Sequence, residues 1–156
     1  MENISVHITY KEATRSQVAI KKGIENIPSF HQLQNMKALA QRVFEPLRIW
    51  AETRLFISSF FRSLTLNFAI GGSPKSDHCA MNDTAAMDID ADVYGGITNR
   101  QVFHFIRDNL DFDQLIWEYG NDEQPDWVHV SYSRGINRKI ILRAFRTETG
   151  TKYIEL

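Results

Sequence analysis

The chain has 156 residues, 43% of them hydrophobic and 24% charged, which is the composition of a globular protein rather than a disordered one. Its formal net charge is -1, with acidic residues mixed among basic ones, so nothing favours nucleic acid or an anionic membrane surface as a partner. A single cysteine, Cys79, excludes an internal disulfide and a multi-thiolate structural metal site.

The length favours one domain over residues 1–156, and no repeat, low-complexity tract or linker divides it. The stretch Met1 to Tyr10 carries no basic n-region, apolar h-region or small-residue cleavage site, so export is expected to need outside help. Three helix starts carry a capping box, in which a Ser or Thr side chain and a Glu or Gln three residues on satisfy free backbone N–H groups. They are Thr9 with Glu12, Ser29 with Gln32, and Thr98 with Gln101. The second opens the main helix, where Phe30, Leu33, Met36, Leu39, Ala40, Val43 and Phe44 recur at a period near 3.6 and predict one buried stripe. Pro46 is expected to kink or end it, because proline lacks the N–H and crowds the preceding turn. Arg54 to Phe61 is rich in aromatic and branched residues and predicts a strand. The most apolar stretch, Leu55 to Ile70, is broken by Ser58, Ser59, Arg62, Ser63 and Asn67 and is too polar to cross a bilayer. The third box opens a helix over about Asn99 to Asn109 that buries Val102, Phe105, Ile106 and Leu110. Asp113 to Tyr119 and Trp127 to Tyr132 predict two short strands about the turn-type cluster Gly120-Asn121-Asp122. Lys139 to Phe145 and Lys152 to Leu156 predict a hairpin around Glu148-Thr149-Gly150. Helices come first and strands later, so the expected class is α+β, an antiparallel sheet with helices packed against it.

Candidate chemistry concentrates in two regions. Ser73-Pro74-Lys75-Ser76-Asp77-His78-Cys79 follows Gly71-Gly72, which permits turns closed to other residues, and precedes Ala85-Ala86-Met87-Asp88-Ile89-Asp90. On that alternating stretch Asp88 and Asp90 share a face; read blandly, it is a polar loop entering an edge strand. In Trp127-Val128-His129-Val130-Ser131-Tyr132, alternation puts Trp127, His129 and Ser131 on one side and Val128, Val130 and Tyr132 on the other. Asp126, three residues before His129, is the carboxylate a hydrolase needs nearby to take a proton from water. His78, His129 and one carboxylate from Asp83, Asp88 or Asp90 would give nitrogen and oxygen ligands while leaving the fourth tetrahedral position open. Elsewhere, His104 in the third helix, His7 and His31 have no partner pattern and read as structural or surface residues, and Cys79 reads as structural.

At these residues the chain resembles the zinc D-Ala-D-Ala carboxypeptidase family, especially its short bacterial and phage members. That family's pattern is roughly S-G-[YF]-R-S, then S-x-H-x-x-G-x-A-x-D, then [ED]-x-W-H or [ED]-W-x-H followed by an aromatic. The corresponding blocks are Ser59-Phe60-Phe61-Arg62-Ser63, then Ser76-Asp77-His78 closing at Thr84-Ala85-Ala86-Met87-Asp88, then Asp126-Trp127-Val128-His129-Val130-Ser131-Tyr132. Further similarity runs through Asn26-Ile27-Pro28, Glu45-Pro46-Leu47-Arg48, Ala69-Ile70-Gly71-Gly72-Ser73 and Phe112-Asp113-Gln114-Leu115-Ile116-Trp117-Glu118. Two departures stand out. Phe60 occupies a position that is usually glycine, and His78 and Asp88 lie ten positions apart where the pattern has seven, with the extra residues inside Cys79 to Asp83 and Thr84 replacing a glycine.

The resemblance implies a zinc peptidase in which His78, Asp88 and His129 hold one metal ion, with Asp83 or Asp90 as the alternatives to Asp88. It implies Asp126 as the group that takes the proton of the attacking water and passes it to the leaving amine. Arg62 would stabilise charge on the attacked carbonyl oxygen, and Ser76 would contact substrate or hold the loop. Implied substrates are peptidoglycan stem peptides, cut as a carboxypeptidase or inside the stem as an endopeptidase. A non-catalytic wall-binding or structural member is the other reading. No nucleic acid and no membrane insertion are expected, and a monomer is favoured. A phage or prophage lysis enzyme would reconcile a cell-wall substrate with an N-terminus that lacks an export signal.

Overall fold

The computed structural model describes residues 2–156. Short helices α1 (Tyr10–Ala13) and α2 (Gln17–Lys22) lead into α3 (Phe30–Leu39), which passes through a single wide turn at Ala40–Phe44 into α4 (Glu45–Ala51). The capping boxes at Ser29 and Thr98 are both formed, whereas Thr9 accepts only the Glu12 N–H. In the wide turn Glu45 N–H donates five residues back, to the Ala40 carbonyl. This placement answers the problem set by Pro46. The proline has no N–H to continue the ordinary ladder, and one π-type turn shifts the hydrogen bonding by a residue so that the helix runs on. Pro46 therefore neither ends the helix nor leaves a buried break. Met36, Leu39, Ala40, Val43 and Phe44 are buried as the periodicity predicts, but Phe30 is 79% exposed. At 100° per residue Phe30 lies roughly 110° from the centre of that stripe, and it occupies the first turn, beyond the core.

Six strands form one sheet: β1 (Phe56–Ser59), β2 (Thr84–Asp90), β3 (Gln114–Glu118), β4 (Trp127–Ser133), β5 (Ile140–Thr147) and β6 (Gly150–Glu155). Their order is β1-β2-β4-β3-β5-β6, and every pair is antiparallel except β3 with β5. The stretch read as an edge strand, β2, lies inside the sheet, paired on both sides and buried from Ala85 to Ile89. Helix α5 (Leu64–Ala69), capped by Ser63, follows β1 where only interrupted apolar sequence was apparent. Helix α6 (Asn99–Asn109) has the expected bounds; Val102, Phe103 and Ile106 are buried, while Phe105 lies partly exposed, stacked 4.3 Å from Trp50. No helix among the described residues is long and apolar enough to cross a membrane.

The alternation of each strand gives the sheet two unlike faces. Ala85, Met87 and Ile89 of β2, Leu115 and Trp117 of β3, and Val128 and Val130 of β4 join the core under the helices. Asp88, Ile116, Glu118, Trp127 and His129 take the opposite face and line an open cleft. Burying one face therefore fixes what the other displays.

Candidate metal centre

Asp88 and His129 are direct cross-strand partners near one end of the β2–β4 pair. His129 Nδ1 lies 2.9 Å from Asp88 Oδ1, and His78 Nε2 lies 3.3 Å from the same oxygen. His78 arrives from a single 3₁₀ turn, Asp77–Cys79, whose entry is capped by Ser76: the serine hydroxyl accepts the His78 N–H at 3.3 Å. The three ligand atoms lie within 4.8 Å of one another.

The orientation of these groups fits a divalent cation. His78 Nδ1 is 2.8 Å from the Phe60 carbonyl, which can only accept, so Nδ1 carries the proton and Nε2 presents its lone pair toward Asp88. Two imidazole nitrogens and a carboxylate oxygen are a zinc-type donor set with room for a further ligand on the cleft side. The electrostatics of Asp88 and His78 agree, and His129 would release a proton on ligation. Burial works to raise the pKa of Asp88, but the two adjacent imidazoles outweigh it and hold the carboxylate well below its usual range. Burial lowers the pKa of His78 despite Asp88. For His129 burial acts downward, yet its hydrogen bond to Asp88 prevails and its pKa is raised. An ionised carboxylate and a neutral His78 are the states that ligate metal.

The irregularities around the site serve its geometry. The register of β1 against β2 shifts between Ile57 and Ser59, placing Ser59 opposite Asp88. Ser59 Oγ then accepts Arg62 Nε at 3.2 Å, and Arg62 Nη2 lies 3.8 Å from Asp88 Oδ2. Phe60 has no positive φ and is buried in the core, so this turn makes no demand for glycine. The extra residues after His78 form a loop with Ala80 and Asn82 in the left-handed region. That loop is tied to α3 by Asn35, which is fully buried and donates to the carbonyls of Ala80 and Asn82 at 2.9 and 2.8 Å. The loop absorbs the additional length, and Asp88 stays in register.

Of the residues singled out in the sequence, His78, Asp88 and His129 meet, and Arg62 and Ser76 line the same cleft. Asp83 and Asp90 do not join them; the Asp90 carboxylate instead accepts from Asn99 Nδ2 at 3.1 Å and from the Asp92 N–H at 3.2 Å. Asp126 is not brought to the cleft. It sits at odds with His129 in the strand alternation, is exposed, and pairs with Arg146 at 3.3 Å. Cys79 is buried beside His78 without joining the ligand set, and His7, read as unpartnered, pairs with Glu45 at 2.6 Å.

Besides Asp88, the carboxylates that line the cleft are Asp77, in the His78 turn, and, on the sheet beside His129, Glu118. Glu118 ends β3, opposite Trp127 and two residues from Ile116, the cross-strand partner of His129, and so shares their face. It is 7% exposed and lines the cleft. Burial pushes its pKa up to about 7, against the pull of His129. The chain must double back tightly after it: Gly120 has φ 66°, and a Cβ there would stand 2.0 Å from the Gln124 carbonyl oxygen. The sequence signal for Glu118 was a carboxylate closing a short strand beside a turn cluster, but only the pairing of β3 with β4 reveals which face it takes.

An N, O, N donor triad on the floor of a cleft of about 490 Å³, with a buried carboxylate on the neighbouring strand, defines the class of a metallohydrolase. The chain matches the Peptidase M15 family over residues 6–131 and belongs to that family, the zinc D-Ala-D-Ala carboxypeptidase type. It is thus a metallopeptidase with a peptide substrate, of a kind that acts on peptidoglycan. No curated protein matches the chain.

Proposed function

We propose that this protein is a zinc peptidase that hydrolyses peptidoglycan stem peptides, of the D-Ala-D-Ala carboxypeptidase type, with Glu118 rather than Asp126 as its general base. The observation that carries the reading is the convergence of His78, Asp88 and His129 on one point, with Glu118 on the same face of the adjoining strand. Zinc held there by the three side chains would polarise the scissile carbonyl and make water a nucleophile near neutral pH. Glu118 would take the proton of the attacking water and return it to the leaving amine. In the loaded site the nearby dication would favour the ionised form of Glu118, the state that accepts the proton.

Arg62 would donate to the carbonyl oxygen as negative charge develops. It is held for that role by Ser59 at 3.2 Å and by Asn67 Oδ1 at 3.5 Å. Ser76, which caps the His78 turn and lines the cleft, would also meet substrate there. Endopeptidase cleavage inside the stem is the second reading. It is favoured by the reach of the cleft, which extends from Gly71–Ser73 past the metal ligands to Leu142 on β5 and Tyr153 on β6. Action on the wall after release at cell lysis would bring such an enzyme to its substrate.

Metal analysis of the purified protein combined with digestion of muropeptides tests the reading. About one zinc per chain is expected, abolished in His129→Ala. Release of a single alanine identifies the carboxypeptidase and larger fragments the endopeptidase. Full zinc occupancy with no cleavage of any muropeptide would overturn the proposal.

A further inference from the structure

The metal cleft ends against Arg62, and a second cavity of about 510 Å³ begins there; Arg62 lines both. Arg15, from the turn between α1 and α2, borders the second cavity as well. Its guanidinium lies 5.1 Å from the centroid of the Phe56 ring and reaches the Ile57 carbonyl at 3.4 Å. Those contacts hold the head group in place without neutralising its charge. The hydroxyls of Ser16, Ser58 and Ser59 add polar groups to the lining, Leu66 and Ile70 supply apolar wall, and no carboxylate is among the lining residues.

The two cavities therefore differ in their charged lining. The metal cleft mixes the carboxylates of Asp77, Asp88 and Glu118 with Arg62 and Lys75, whereas the second cavity has no carboxylate; with Arg62 lying 3.8 Å from Asp88, Arg15 is the positive charge that belongs to the second cavity alone. A positive, partly apolar recess selects an anion on a hydrocarbon stem. A planar guanidinium matches a carboxylate in two parallel hydrogen bonds, which a point charge does not.

We infer that the second cavity is a carboxylate subsite, in which Arg15 receives a negatively charged group of the peptide being cut. This rests on the peptidase reading and adds a specificity-determining residue, Arg15, to it. The carboxylate has two possible sources: the free C-terminus of the peptide, or an acidic side chain within it.

The test uses the zinc-loaded full-length protein and three synthetic stem peptides, one with all carboxylates free, one amidated at the C-terminus and one amidated at its acidic side chain. The wild type is expected to lose about ten- to a hundredfold in kcat/KM, mainly through KM, on one of the two amidated peptides. The peptide that suffers the loss identifies the source. Arg15→Gln should show the same loss on the free peptide and no further loss on that amide, with unchanged zinc content and thermal midpoint. Arg15→Lys should recover part of it. An Arg15→Gln variant equally impaired on all three peptides would show that Arg15 merely braces Phe56 and Ile57, and would overturn the subsite. Should Arg15→Gln fail to fold, the wild-type comparison decides alone: equal rates on free and amidated peptides overturn it. Cleavage without discrimination sinks the subsite and leaves the peptidase reading intact, whereas no cleavage of any peptide sinks both.

Discussion

Two carboxylates near His129 compete for the role of base, and strand parity separates them. Glu118 and His129 face the cleft, while Asp126 is turned out to Arg146. Glu118→Gln is therefore expected to keep zinc and lose at least about a hundredfold in kcat, whereas Asp126→Asn stays within a few-fold of the wild type. Parallel kinetics and metal analysis check both, and a normal rate in Glu118→Gln would reassign the base. The same residue carries a pH signature in the metal-free protein. Its folded pKa of about 7 lies above the unfolded value of 4.5, so the folded state holds this proton more tightly. The contribution is fully present below pH 4.5 and is lost as pH rises through about 7. Denaturant titration of the zinc-free protein should show stability falling over that window, by about 3 kcal/mol from this residue, with the slope reduced in Glu118→Gln and the part above pH 6.5 that His129 contributes retained.

At the scale of single elements, the Gly71-Gly72 turn after α5 does more than reverse the chain. A Cβ on Gly72 would stand 2.1 Å from Asn67 Oδ1, and Asn67 is itself buried, donating to the Ser73 carbonyl at 2.8 Å while accepting from Arg62. The glycine lets the turn close over Asn67, and Asn67 in turn orients Arg62. Gly72→Ala should cost about 1–3 kcal/mol of stability and lower kcat by about ten- to a hundredfold, because Arg62 is displaced from the reacting carbonyl. Thermal melts and steady-state kinetics on one preparation separate the two effects. The starts of α3 and α6 were legible because side chains at their N-termini cap them locally. Less legible was the wide turn before Pro46: the sequence shows that a hydrogen bond is missing but not whether the helix breaks or rewinds.

Across the whole molecule, metal binding at this site would be coupled to folding, since the candidate ligands come from β2, β4 and a turn between β1 and β2 that meet only in the folded sheet. Zinc should stabilise the fold by about 4 kcal/mol when free metal exceeds its dissociation constant a thousandfold. Chelation is expected to lower the melting temperature and zinc to restore it, while His129→Ala should melt at the same temperature with or without chelator. A chelator-insensitive wild type would contradict the metal site.

The sequence by itself determined the α+β class, two of the three capping boxes in full, the strand bearing His129 and the metal-ligating residue types, because each depends on spacing within one short segment. Among Asp83, Asp88 and Asp90, the family resemblance pointed to Asp88 in spite of the longer spacing from His78, because Ala86 and Asp88 keep the A-x-D ending of that pattern. Tertiary structure alone decided that β2 is interior, that β3 and β5 run parallel, and that Glu118, not Asp126, faces the ligands. Those facts depend on which strand lies beside which and on the face each one buries. Such pairings join residues distant along the chain, and no local periodicity specifies them.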